Sequence, residues 1–168
     1  YLATSQGEDF PRIEYLDTLI AGFTERLPES ARPPRTPANL TELVRTACWA
    51  DLAVADPNEV HFVMASLGLP LYLTTNPDNL LAEALVASGR TPVRDQCRWS
   101  DSLEALPTRL AGEEYIFSAE NPVVYHLLGT DEYPESLVLS EDQYFRYLYN
   151  IAAVADRIPF SIRARLTS

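Results

Sequence analysis

The run Leu69-Pro70-Leu71-Tyr72-Leu73-Thr74, followed at once by Thr75-Asn76-Pro77-Asp78, narrows the range of folds furthest. A short, nearly continuous apolar segment bounded by turn residues suits a strand buried on both faces of a parallel sheet, because helices cover both sides and no polar alternation is needed. The turn leads into a helical stretch over 79–88 that Gly89 closes, which gives the strand, turn and helix half of a βαβ unit. Further strands are expected over 92–97 and 122–128, the latter rich in strand-prone Val123, Val124 and Tyr125. Strands alternating with helices predict an α/β, three-layer fold with a mostly parallel sheet.

Helices frame these strands. Apolar residues from Ile13 to Leu27 recur at three and four, the period of a helix over 12–27 with one buried face. Thr36-Pro37 reads as an N-cap and first helical residue of a helix reaching Val54, and 56–59 opens another that Gly68 closes. Ser140-Glu141-Asp142-Gln143 is a capping box for a helix over 141–155, in which Tyr144, Leu148 and Ile151 share a face suited to packing or a subunit interface. Pro159 starts a last helix.

Charge removes several function classes. The 168 residues carry 24 Asp and Glu against 13 basic residues, all arginine, for a net charge of −11. Nucleic acid or an anionic membrane surface would require a basic footprint, so neither is an expected partner. The absence of lysine excludes Schiff-base chemistry and a P-loop lysine within this segment. Two cysteines, Cys48 and Cys97, make no disulfide framework and no four-ligand zinc site; they suit a reducing cytoplasm as buried small hydrophobes, and no metal is expected.

In a parallel sheet, ligands bind beyond the carboxyl ends of the strands, so the loops after Thr74 and Leu128 are where chemistry belongs. Asn76 and Asp78 stand where a helix start would face a ligand's oxygens, and both also fit a purely local role, with Asn76 as N-cap and Pro77 as first helical residue. His126 has the chemistry of a general base or a sugar-hydroxyl partner, or of a satisfied core histidine, while Gly129 permits close backbone approach. His61, early in its helix, reads as structural.

Together the two loops resemble a known family. Residues 71–85 are similar to the "T-T-N-aromatic-D-x-L-L-E-x-A-L" motif of bacterial sirtuin-like domains, and 123–129 with 136–144 resemble that family's "y-x-L-H-G … s-l-v-L-T-E-x-D-Y" stretch. The resemblance implies a Rossmann-like domain that binds NAD and, in active members, breaks the nicotinamide–ribose bond to give nicotinamide and ADP-ribose. By that resemblance Asn76 and His126 are the catalytic candidates, and Thr75, Asn76, Asp78 and Gly129 the cofactor-binding ones. Asn76 would orient the ribose or the attacking water, Asp78 would support its loop, and a histidine would contact the ribose hydroxyls as base.

Three departures qualify this. Leu128 occupies the position of the family histidine, and Pro77 replaces the aromatic residue. His126, two residues back on the same strand face, lies roughly 6–7 Å from that position, against a base's reach of about 3 Å. The family's upstream "G-A-G-x-S" and downstream "L-F-x-G-y-S-x-x-D" elements are not in the chain, so one sirtuin-like domain segment, truncated at both ends, is expected over 1–168. Its helical part covers 1–68 and its nucleotide part 69–168. The paired Cys-x-x-Cys motifs of zinc-containing deacylases are also missing. Three functions remain open: an NAD hydrolase effector within a multidomain bacterial defence or signalling protein, a degenerate NAD or ADP-ribose sensor, and a non-catalytic scaffold or homo-oligomerisation module.

Overall fold

A computed structural model of the chain describes residues 10–110 and 115–167. Three parallel strands, β1 (Leu71–Thr74), β2 (Val93–Gln96) and β3 (Val123–His126), form a sheet in the order β1-β3-β2. The registers align Thr74, His126 and Gln96 in one row at the carboxyl edge. Last in sequence but central in space, β3 is buried along its whole length, as a doubly covered strand with no alternation should be.

Helices α4 (Val60–Ser66) and α5 (Leu80–Ala87) cover one face, where Ala65, Leu81, Ala84 and Leu85 meet Tyr72 and Val124. The other face carries α6 (Glu141–Ala153) and α7 (Phe160–Thr167), through Tyr147 and Ile162 against Val123, Tyr125, Cys97 and Trp99. The expected three-layer, Rossmann-like α/β arrangement is therefore present. A third cluster joins α1 (Phe10–Arg26) and α2 (Leu40–Thr46) to the loop after β3, with Leu16, Ile20, Leu40 and Leu43 packed around Leu137. The buried Arg12 adds a hydrogen bond from Nε to the Leu137 carbonyl at 3.1 Å.

Several local expectations are corrected. The helix expected to run unbroken to Val54 is split into α2 and α3 (Trp49–Ala53) at Cys48, which adopts a left-handed φ of 49°. Its cap is Asn39, whose side chain accepts from the Glu42 amide, and not Thr36. Cys48 is exposed; only Cys97 is buried, and burial pushes its thiol up to about 11, which keeps it protonated and unreactive. Among the described residues β1 is an edge strand with Leu73 exposed, not a strand covered on both faces. On α6 the capping box is present as expected; Tyr147 and Ile151 face the core, while Tyr144 and Leu148 are exposed and not packed into it.

Candidate functional site

The carboxyl edge of the sheet is where the sequence candidates meet. The loop from β1 to α5 begins with Thr74, whose hydroxyl accepts the Asn76 amide at 3.0 Å. Helix α5 starts only at Leu80, where Asp78 Oδ1 accepts the Leu80 amide at 3.1 Å. The local role expected for Asn76 and Pro77, capping and opening the helix, is thus not theirs: the N-cap is Asn79, whose side chain makes no cap bond, and Asp78 takes the first helical amide. Asn76 and Thr75 are left with exposed side chains at the strand exit.

One side-chain and one main-chain bond hold this loop against β3 and the segment following it. The His126 ring donates from Nδ1 to the Asn76 carbonyl at 2.8 Å, and the Asp131 amide donates to the Pro77 carbonyl at 3.1 Å. Since a carbonyl only accepts, the ring carries its proton on Nδ1, leaving Nε2 a buried acceptor with no hydrogen-bond partner among the described residues. Desolvation, with the neighbouring Arg94 cation adding to it, pushes the His126 imidazole down to about 4. His126 is therefore neutral near pH 7 and wholly buried. Its ring ties the Asn76 loop to β3.

Gly129 adopts a φ of +94°, and a Cβ there would lie 2.4 Å from both the carbonyl carbon and oxygen of Ser136. The close backbone approach anticipated at this glycine is thus made by the Ser136–Leu137 main chain. Next to it the Thr130 hydroxyl donates to Gln96 Oε1 at 2.6 Å, and its amide donates to Ser136 Oγ at 3.0 Å. Asp131 accepts the Thr41 amide at 2.6 Å and hydroxyl at 3.1 Å, and lies 3.5 Å from Arg94. Burial pushes its carboxyl up; the Thr41 amide and Arg94 oppose that rise.

The structure therefore brings Thr75, Asn76, Asp78 and His126 to one edge, with Gly129 on the adjoining loop. Asn76 and Asp78 line a hollow of about 80 Å³ with Thr74 and His61, well below the roughly 300 Å³ of a typical small-molecule pocket. His61 is held by Glu59, with Nδ1 and Oε1 2.7 Å apart, and by an edge-on contact with Trp49, in line with its structural reading. Sequence reasoning overlooked Arg94 and Gln96, which with Asp95 make a run of three polar residues inside a strand. That polar run was the available signal. Among the described residues no cluster of three or more His, Cys, Asp or Glu is arranged to hold a metal ion, and no helix is long and apolar enough to cross a membrane.

Searches of curated proteins and of solved structures gave no match to the chain. A family model described as SIR2-like domain matches residues 70–167, more than half of the chain, spanning all three strands and the loops at their carboxyl ends. SIR2-like domains generally bind NAD, and the protein is a sirtuin-like, NAD-related module without the paired zinc-binding cysteines: the chain belongs to the SIR2-like domain family.

Proposed function

We propose that the chain supplies one wall of an NAD site in a module that hydrolyses NAD to nicotinamide and ADP-ribose, with Asn76 rather than a histidine base at its centre. The observation that carries this reading is the state of Asn76. Its side chain is exposed at the carboxyl edge, free of the helix-capping duty that would have explained it locally, while its carbonyl is fixed by His126. The residues present fit such a ligand: Thr75 and Asn76 offer exposed hydroxyl and amide groups, Asp78 holds the loop through α5, and Gly129 fixes the neighbouring turn.

In the reaction water oxygen bonds to the ribose C1′, the C–N bond breaks with its electron pair passing to nicotinamide, and the water's proton leaves to solvent. Pyridinium nitrogen needs no acid to depart, and the transition state is a sugar cation. Orientation of ribose and water therefore matters more than a strong base. Asn76 has the donor and acceptor to do both. The wider role is that of an effector module in a multidomain bacterial defence or signalling protein acting in the cytoplasm.

A second reading, an NAD or ADP-ribose sensor, is favoured by Leu128 and by the burial of His126. Nicotinamide release followed by chromatography, on the chain and on the longest polypeptide that carries it, decides between them. Release that falls at least about a hundredfold in Asn76→Ala supports hydrolysis. NAD binding by calorimetry without release supports the sensor, and the absence of both overturns the NAD reading.

A further inference from the structure

The end of β2 carries polar groups that the Asn76 loop does not use. Arg94 and Gln96, two apart on one strand, face the same side of the sheet. A cleft of about 240 Å³ opens beside them, lined also by Arg45 of α2, Arg109, Thr130 and Tyr133. Three guanidinium groups thus gather at one place in a chain whose net charge is −11.

Two carboxylates share the lining, and both are engaged. Asp95 accepts from Arg98 Nη2 at 2.8 Å and the Gln96 amide at 2.7 Å on one oxygen, and from the Thr108 hydroxyl at 2.6 Å on the other. Glu132 lies 3.5 Å from Arg94. Arg45 bonds Glu83 through Nε at 2.9 Å, and Arg109 is exposed with no ion pair among the described residues. The decisive feature is a surplus of donors. Gln96 is almost wholly buried and, with its oxygen taken by Thr130, its Nε2 has no acceptor among the described residues; Arg94 Nε is buried and likewise makes no hydrogen bond, while Nη2 makes none but lies 3.5 Å from Asp131 Oδ1. Buried N–H groups without acceptors are costly, and next to a cleft of guanidinium groups the chemistry that would satisfy them is an oxyanion.

We propose that this cleft binds a phosphate group of a nucleotide. Phosphate offers the multiple acceptor oxygens and the negative charge that a guanidinium fork and an amide donor match. The row Thr74, His126 and Gln96 places the cleft two strand spacings, about 10 Å, from the exit of β1. One dinucleotide can reach from Asn76 to the cleft, and so the phosphate is either the dinucleotide's own or that of a separate nucleotide. The oxyanion site itself stands without the NAD reading.

The test is calorimetric titration of the full chain with inorganic pyrophosphate, alone and then with NAD present. The expected result is binding that weakens as salt rises and falls at least about tenfold in the double variant Arg45→Ala/Arg109→Ala. Both arginines are exposed, so the variant keeps the fold, which circular dichroism checks. Arg146→Ala on exposed α6, which covers the opposite face of the sheet, removes a charge elsewhere and leaves the affinity unchanged. Competition between pyrophosphate and NAD assigns the phosphate to the dinucleotide, and simultaneous binding assigns it to a second nucleotide. Pyrophosphate binding without NAD binding keeps the cleft and discards the NAD reading. No pyrophosphate binding, or equal binding by the double variant, overturns the proposal.

Discussion

His126 illustrates how a single side chain can tie the site's loop to the sheet. Its ring bonds the Asn76 carbonyl, and burial holds its imidazole down to about 4 against an ordinary value of 6.5. Because the folded value lies below the unfolded one, the unfolded chain binds the extra proton between those limits. Stability is therefore full above about pH 6.5 and is lost as pH falls towards 4, by on the order of 3 kcal/mol at the end of that window. Asp131, whose carboxyl is pushed up, works in the opposite sense over acid pH, which makes the raw profile of the protein a sum. Urea denaturation at pH 7, 6 and 5 on the parent and on His126→Gln separates them: the parent loses more stability on acidification than the variant. Equal slopes would show that the imidazole titrates normally in the fold. Glycine offers a second comparison at this scale. Gly129→Ala meets both a left-handed φ and the Ser136 main chain at 2.4 Å, so a loss of about 3 kcal/mol or more is expected. Gly22→Ala, inside α1 with nothing within 4 Å, should instead gain about 0.5–1 kcal/mol. Denaturant midpoints read both signs directly.

At the level of elements, what could be read from the sequence was what each element settles with its own neighbours. The α6 capping box needs only residues three apart, and both of its bonds are present, with Gln143 donating its amide to Ser140 Oγ and receiving the Leu139 and Ser140 amides on Oε1. Ser140→Ala should cost about 1 kcal/mol. By contrast, nothing at Cys48 announced a left-handed residue, so the break between α2 and α3 was invisible; Cys48→Gly should relieve that strain and stabilise the protein by up to about 1 kcal/mol. Thermal melts of the two variants shift in opposite directions if both accounts hold, and a Cys48→Gly melt at or below the parent's would refute the strain argument. The exposed edge of β1 escaped for a different reason. Strand order is set by which strand docks in the middle, and β3 arrives about fifty residues later to take that place. The site divides in the same way. Motif residues Thr75, Asn76 and Asp78 stood out because they lie within four successive positions, whereas the cleft built from Arg45, Arg94 and Arg109 exists only once α2, β2 and a distant loop have met.

Across the whole molecule the question is whether the helices before Gly68 fold with the sheet or apart from it. The family match begins at residue 70, yet the contacts ignore that boundary. Thr41 binds Asp131, Arg12 binds the Leu137 carbonyl, and Leu137 itself sits in the α1 and α2 cluster. Asp131 is buried between Thr41 and the half-buried Arg94, so separating the two parts would expose a carboxylate stripped of its Thr41 partners together with an apolar cluster, and leaving a buried charge without its partner costs about 3–5 kcal/mol. These couplings predict one cooperative unfolding unit. The two tryptophans lie on opposite sides of the boundary: Trp49 in α3, against His61 and Phe62, and Trp99 in the core, donating Nε1 to the Ser136 carbonyl at 2.8 Å. Trp99→Phe leaves only Trp49 to report, and Trp49→Phe leaves only Trp99. In each variant the fluorescence midpoint in urea should coincide with that of circular dichroism, even though Trp99→Phe is itself less stable by about 1–3 kcal/mol through the lost hydrogen bond. A Trp49 signal that melts before the helical signal would mean that α3 and α4 open independently. The contacts of Thr41 with Asp131 and of Arg12 with the Leu137 carbonyl would then be too weak to couple the helices to the edge of the sheet that carries Asn76.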